Sequence, residues 1–425
     1  MSEATQTNQP VSKGQAGKDP YSIPLDKIDV SDSELFETDT HWGYFERLRK
    51  EAPVHYCAES DFGPYWSVTK FDDIVQVDKH HELFSSAVSI VLGDPDPDFP
   101  LEAGFITLDP PVHDEQRKVA QPVVMPRNLM LLEPLIRERV AEILDSLPVG
   151  ETFNWVDLVS IELTTRMLAT LFDFPFERRH KLTFWSDMAT SSPNLVGASD
   201  VTEEEREAAL MECLEEFTVL WNERVNKEPS GRLDLITMLA HGEATKNMTP
   251  MEYLGTLVLL IVGGNDTTRN SITGGVLALN ENPAEYQKLR DNPKLIPKMV
   301  SEIIRWQTPL AYMRRTALED VELGGQQIKK GDKVVMWYIS GNRDETVIDR
   351  ANEFLIDRDN PRQHLSFGFG LHRCMGNRLA EMQLRIVWEE ILKRFDKVEV
   401  VGEPVRVRSN FVAGFLELPV RVHPV

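Results

Sequence analysis

Cysteine is scarce in this chain of 425 residues, which contains only Cys57, Cys213 and Cys374. The three are far apart in sequence, so they show neither the paired spacing of a zinc site nor the pattern of a disulfide framework. Cysteine usage of this kind fits a reducing cytosol. We therefore expect a cytoplasmic protein.

Long hydrophobic runs and an excess of basic residues are also missing. The longest apolar run, 254–262, is interrupted by Gly255 and falls far short of the roughly 20 residues that cross a membrane. The net charge of −22 argues against nucleic acid or an anionic membrane as the main partner. Residues 1–20 lack the apolar core of a signal peptide, so we expect a disordered N-terminal tail and no membrane anchor.

Helical patterns dominate the rest of the chain. Thr249, Pro250 and Glu252 form a helix start with a capping box, and the helix that follows spans about 250–280. Its middle is apolar nearly all round, so it is buried and crosses the molecule. Short β segments are expected near 54–69, 313–338 and 398–422. We predict a mainly α fold with minor antiparallel β, in one domain over residues 21–425.

An irregular segment, 84–108, contains three prolines and little periodicity. A loop of this length in a compact protein is usually functional. Its apolar residues either line a pocket or cover the core, and the pattern does not decide between the two. They are Val88, Ile90, Val91, Leu92, Phe105 and Ile106.

Cys374 lies between Gly368, Gly370 and Gly376, just ahead of a helix predicted over 375–395. A helix N-terminus favours a thiolate, and glycines let the backbone approach a flat macrocycle closely. We interpret Cys374 as the thiolate ligand of a haem iron. The alternative is a buried structural cysteine, the commoner role of a lone cysteine. No Cys-x-x-Cys-His motif is present, so such a haem would not be covalently attached.

Four motifs together resemble those of one family. The stretch Phe367-Gly-x-Gly370-x-His372-x-Cys374-x-Gly376 resembles the haem-binding signature of cytochromes P-450 in its bacterial form. Glu302-Ile-Ile-Arg305 resembles the family's Glu-x-x-Arg element, and Gly263-Gly-Asn-Asp-Thr-Thr268 resembles its oxygen-activating motif. His113-Asp-Glu-Gln-Arg117 resembles its haem-propionate helix. Each motif is weak alone, but four in the right order are specific.

The resemblance implies a role for each of these residues. Cys374 becomes the axial metal ligand of haem b, with Phe367, Gly368 and Gly376 around it. Glu302 and Arg305 pair with each other and with Arg358 to brace the cysteine loop. Asp266 and Thr267 relay protons to dioxygen, although a helix kink with a satisfied aspartate is the plainer reading. The propionates are expected to bind His113, Arg117, Arg315 and His372.

The candidate substrate contacts are almost all apolar, which favours a hydrophobic substrate. The sequence further resembles the bacterial alkane-hydroxylating branch, which implies terminal (omega) hydroxylation of medium-chain alkanes or fatty acids. A terpene substrate, a peroxide-using enzyme and a non-enzymatic haem-thiolate sensor stay open as alternatives. The pocket candidates are Val88, Ile90, Val91, Leu92, Leu259, Leu260, Gly263, Leu310, Met313 and Phe411.

Electrons are expected from separate chains, a ferredoxin and its reductase, because the sequence ends soon after the helix at 375–395. A local basic cluster around the cysteine stands out in this acidic chain and is suited to steer an acidic ferredoxin. Some of its charge must serve the propionates instead. The cluster comprises Arg362, His364, His372, Arg373, Arg378 and Arg385.

Overall fold

The computed structural model describes residues 14–96, 99, 104–192, 201–227 and 233–425. Helices make up most of it, as predicted. In chain order they are α1 (Ser33–Glu37), α2 (His41–Glu51), α3 (Phe71–Lys79), α4 (Val112–Ala120), α5 (Pro126–Asp145), α6 (Glu162–Phe172), α7 (His180–Thr190), α8 (Glu203–Val225), α9 (Leu235–His241), α10 (Pro250–Glu281), α11 (Pro283–Asp291), α12 (Ile296–Gln307), α13 (Tyr338–Gly341) and α14 (Asn377–Arg394).

The long helix α10 organises the helical part of the molecule. It has 32 residues, begins at the predicted capping box and extends about 48 Å at 1.5 Å per residue. The Thr249 hydroxyl accepts from the Glu252 N–H at 3.2 Å, and the Glu252 carboxylate accepts from the Thr249 N–H at 2.6 Å. Residues 268–279 are all buried, and α6, α7 and α12 pack around the helix. The prediction of a long, buried, central helix is confirmed.

Small sheets form the remainder. The strands are β1 (Val54–Cys57), β2 (Tyr65–Val68), β3 (Phe84–Ser85), β4 (Phe153–Asn154), β5 (Met313–Ala317), β6 (Val321–Leu323), β7 (Gln326–Ile328), β8 (Lys333–Met336), β9 (Phe395–Val400), β10 (Val405–Arg406), β11 (Phe415–Glu417) and β12 (Pro419–Pro424).

The largest sheet has the order β1-β2-β8-β5-β3. Its pairs are antiparallel as predicted, except that β2 and β8 run parallel, with Ser67 opposite Val335. A parallel pair needs a long crossover connection. Here most of the helices lie between the two strands in sequence, so no local turn pattern could predict that these strands pair.

The N-terminal boundary differs from the prediction. Residues 1–13 of the expected tail lie outside the described residues. From residue 14 the chain packs against α2, where the Tyr44 hydroxyl donates to the Gln15 carbonyl oxygen at 2.7 Å. The Arg47 guanidinium donates to the carbonyl oxygens of Pro20 and Ile23. Residues 14–20 therefore belong to the folded structure, because buried side chains of α2 donate hydrogen bonds to their backbone carbonyl oxygens.

The model was also searched for helices that could span a membrane. Among the described residues, none unites the length and the hydropathy that a transmembrane segment requires.

Candidate active site

Cys374 lies in a tight loop immediately before α14. Its N–H donates to the Phe367 carbonyl oxygen at 2.8 Å, and Gly368 and Gly370 have φ of +63° and +64°. A Cβ on Gly370 would approach the Asp78 carbonyl oxygen to 2.4 Å, so only glycine fits there. These two glycines fold the loop against α3, a constraint that differs from the macrocycle contact expected from sequence. A Cβ on Gly376, in contrast, would meet open space within the cavity.

The surroundings of the Cys374 sulfur shift the pKa of its thiol in opposite directions. Burial raises the pKa of the thiol. Backbone N–H groups of Gly376 and Asn377, at the start of α14, lower that pKa, as do the nearby Arg117 and Arg373 guanidinium groups. These N–H and guanidinium groups are what the protein itself offers to a thiolate, and a coordinated metal ion would add a further positive charge.

The sulfur faces a cavity of about 760 Å³ between the cysteine loop, α10 and the irregular segment. Nine of the ten predicted pocket residues line it: Val88, Ile90, Val91, Leu259, Leu260, Gly263, Leu310, Met313 and Phe411. Phe105 and Ile106 line it as well, so most of the irregular segment's apolar residues face the cavity.

Leu92 is the exception, and its assignment to the pocket is wrong. It is fully buried in a separate core cluster with Tyr65 and Trp337, and its N–H donates to the Tyr312 hydroxyl at 3.1 Å. Sequence reasoning also missed several lining residues on helices. Helical periodicity predicts only that these residues face the interior, and it does not distinguish a core residue from one that lines a cavity. They include Val123, Met167, Leu168, Leu171 and Val258.

The four predicted propionate ligands converge beside the cysteine loop. The His113 and His372 rings are 4.5 Å apart, and Arg117 donates to the Arg373 carbonyl oxygen at 2.5 Å. His113 Nε2 and His372 Nδ1 are buried and have no hydrogen-bond partner among the described residues. Burial, together with Arg315, His113 and Arg117, lowers the pKa of His372 to about 2. These residues concentrate hydrogen-bond donors and positive charge on one side of the cysteine loop.

Asp78 is a member of this region that sequence reasoning missed. Its buried carboxylate accepts from Arg315 Nη2 at 2.9 Å, the Tyr338 hydroxyl at 3.0 Å and the Phe369 N–H at 2.7 Å. Arg315 lines the cavity but is thus already paired. One signal was available, since an aspartate in the last turn of a helix opposes the helix dipole and needs another reason to be there.

These features fit the haem that the resemblance implies. Cys374 offers a sulfur ligand supported by two backbone N–H groups, and the cavity has room for a macrocycle. The two histidine nitrogens and Arg117 offer donors for its two carboxylates, and Arg315 adds positive charge beside them.

Glu302, Arg305 and Arg358 lie together beneath the cysteine loop, as expected. Glu302 Oε1 is 2.7 Å from Arg305 Nη2, and its Oε2 is 2.9 Å from Arg358 Nε. Burial alone would raise the pKa of Glu302, but hydrogen bonds from Arg305 and the Leu355 N–H, with the charge of Arg358, hold it below its usual value. Arg305 also donates to the Asn342 carbonyl oxygen at 2.8 Å, which ties α12 to the segment that follows α13.

Thr267 and Asp266 point in different directions. The Thr267 hydroxyl, which lines the cavity, donates to the Gly263 carbonyl oxygen at 2.9 Å. The Asp266 carboxylate is buried on another side of α10, where it accepts from the Ser186 hydroxyl at 3.0 Å and lies 2.6 Å from Arg269 Nη2. Arg269 also binds Asp187, whose side chain is 51% exposed. Burial raises the pKa of Asp266 while Arg269 lowers it.

The basic cluster predicted around Cys374 is smaller at the surface than in sequence. His364 is buried, His372 faces the cavity, and Arg385 is paired with Glu133 and Glu389. The exposed members are Arg362, Arg373 and Arg378.

The chain is similar to known proteins over most of its length. The family model described as Cytochrome P450 matches residues 44–421. The structure of CYP153D17 from Sphingomonas sp. PAMC 26605 superposes with a TM-score of 0.88 at 48% identity, covering 94% of this chain and 100% of that one.

Two curated relatives add sequence evidence. Linalool 8-monooxygenase from Pseudomonas putida is 36% identical over 94% of this chain and 100% of its own length. Methyl-branched lipid omega-hydroxylase from Mycobacterium tuberculosis is 30% identical over 95% and 96%. The chain therefore belongs to the cytochrome P450 family of haem-thiolate monooxygenases.

Proposed function

We propose that this monooxygenase hydroxylates the terminal carbon of medium-chain alkanes or fatty acids. The observation that carries the proposal is the cavity, which is lined mainly by apolar side chains and reached by one cysteine sulfur. An apolar cavity recognises substrate by shape and burial. The relative named for omega-hydroxylation of a lipid supports attack at a chain end.

The cofactor we propose is haem b, held by Cys374 and by donors to its carboxylates from His113, Arg117, Arg315 and His372. A bound haem-thiolate iron supplies the activation of dioxygen and the insertion of one oxygen atom into a C–H bond. Phe367 and Gly376 line the cavity beside Cys374. Together with the N–H groups that point at the sulfur, they define the side of the cavity on which the reaction takes place.

Proton delivery falls to Thr267 and Asp266. The Thr267 hydroxyl lies at the cavity wall, where it donates to the Gly263 carbonyl oxygen and can turn to donate toward the cavity instead. Asp266 is held away from the cavity by Arg269, which connects it to the exposed Asp187. We propose that these ion pairs give Asp266 access to solvent protons, and that rotation of its side chain carries a proton toward Thr267.

Glu302, Arg305 and Arg358 act as positioning residues. The pairs are almost fully buried, so removing one partner would leave an uncompensated charge in the interior. Their hydrogen bonds to Asn342, Ala351 and Leu355 fix the backbone that supports the cysteine loop.

The electron donor we propose is a ferredoxin, supplied by a ferredoxin reductase on a separate chain. It would bind the face around Cys374, where Arg373 and Arg378 are exposed. We further propose that residues 21–425 act as one haem-thiolate monooxygenase domain in the cytoplasm.

Terpenoid oxidation is the second candidate function. It is favoured by the relative named for linalool and by the same apolar cavity, which does not by itself exclude a branched chain.

Product analysis tests the proposed function. Purified enzyme with ferredoxin, ferredoxin reductase and reduced nicotinamide cofactor should convert octane mainly to 1-octanol, because the apolar cavity presents the chain end. The products are identified by gas chromatography. A mixture of internal octanols would contradict terminal attack, and preference for linalool would favour the terpenoid alternative. Turnover supported by peroxide but not by ferredoxin would contradict the proposed electron supply.

Thr267→Ala should separate electron consumption from product formation. Loss of the hydroxyl removes the proton donor at the cavity wall, so we expect product formed per reduced nicotinamide consumed to fall about ten-fold, with hydrogen peroxide released instead. Thr267→Ser is the matched control, since it keeps the hydroxyl, and it should restore most of the coupling. Equal coupling in the alanine variant and the parent would rule out this role.

Arg378→Ala should weaken the use of ferredoxin without changing substrate binding. We expect the KM for ferredoxin to rise about three-fold at low salt, and the difference to shrink as salt screens the charge. Arg385→Ala is the control, because Arg385 is already paired with Glu133 and Glu389. If both variants changed the KM for ferredoxin equally, net charge would explain the effect and the docking face would be wrong.

A further inference from the structure

The wall that α8 contributes to the cavity carries an ion pair that neither cofactor binding nor proton delivery explains. Arg206 lines the cavity with only 7% of its side chain exposed. Its Nε and Nη2 lie 2.8 and 2.6 Å from Glu203 Oε2, and its guanidinium is 5.6 Å from the centre of the Phe99 ring. Burying an arginine costs solvation free energy, and the Glu203 carboxylate offsets part of that cost.

Arg206 is separate from the other cations of the cavity. Among the described lining residues, Arg117, Arg315 and His372 belong to the group beside the cysteine loop, and Arg206 is the remaining basic side chain. It comes from α8, on a part of the wall shared with Asp96 and Phe99.

Three carboxylates of the described residues cluster beside Arg206. Carboxylate oxygens of Asp96, Glu203 and Glu207 all lie within 4.8 Å of one another. Of the other acids along this wall, Asp94 is already paired with Arg314 and Lys333.

We propose that Glu203 occupies Arg206 and so excludes carboxylates, and that the enzyme selects chains with an uncharged head over the matching fatty acids. This rests on the proposed function. A fatty acid whose methyl end lies at the Cys374 side must place its carboxylate elsewhere in the cavity, where it needs a cation. To reach Arg206 it must displace Glu203, which then lies unpaired near Asp96 and Glu207. An alkane, alcohol or ester avoids this exchange, so Glu203 is a specificity-determining residue.

Binding of two matched probes tests the inference. Isothermal titration calorimetry of the haem-loaded enzyme compares decanoate with methyl decanoate at about pH 8, where the acid is ionised. We expect the parent to bind the ester about ten-fold more tightly than the acid. The cost of moving the decanoate carboxylate from water into the cavity is large enough to give this difference. Glu203→Gln should tighten decanoate binding about ten-fold and leave the ester within about two-fold.

Two further variants show whether Arg206 is the cause. Glu204→Gln removes the same charge from the first turn of α8 at an exposed position and should change neither affinity. The double variant Glu203→Gln with Arg206→Gln should lose the gained decanoate affinity. Equal binding of acid and ester by the parent, or an equal effect of Glu203→Gln and Glu204→Gln, would overturn the inference. If neither probe binds, the proposed chain-hydroxylating function fails together with the inference. If both probes bind equally well, only the inference fails.

Discussion

The cost of placing a negative charge on the Cys374 sulfur, at the wall of a largely apolar cavity, is the constraint on which the rest of the structure depends. Burial raises the pKa of the Cys374 thiol, so the protein must offset that cost with dipoles and positive charge. The start of α14 supplies two N–H groups, and Arg117 and Arg373 supply the charge. None of these works unless the loop that carries the sulfur is held in one conformation.

That requirement explains the buried polar residues around the loop. Gly370 lets the loop meet the end of α3, and Asp78 then accepts from the Phe369 N–H. On its other side, Glu302 and Arg305 connect α12 to the backbone before the loop. Asp78 is matched by Arg315, and Glu302 by Arg305 and Arg358, because an unmatched buried charge would cost a large part of the free energy of folding. The same logic applies to Arg206 and Glu203, where the pairing restricts what the cavity accepts.

Local signals predicted well. The capping box at Thr249 and Glu252 and the apolar pattern after it predicted the long helix. The three-residue spacing of Glu302 and Arg305 predicted their pairing, and the family resemblance added Arg358. Contacts between distant parts of the chain were not predictable. Asp78 and Arg315 are 237 residues apart, and helical spacing gave the position of Asp266 but not the direction of its carboxylate.

The irregular segment shows the same limit. Val91 lines the cavity and its neighbour Leu92 packs in the core, although both are apolar residues of one non-periodic run. Hydrophobicity predicts that a residue is buried from water. It does not distinguish a residue that lines a cavity from one that packs against other side chains in the core. Only the packed structure makes that distinction.

The central claim is that Cys374 is the thiolate ligand. The most direct test is the absorption spectrum of the reduced, carbon monoxide-treated enzyme. We predict the strongly red-shifted Soret band of thiolate ligation in the parent and in Cys57→Ala and Cys213→Ala, since both of those cysteines are buried elsewhere. Cys374→Ala should lose the band. A red-shifted band that persists in Cys374→Ala would contradict the account.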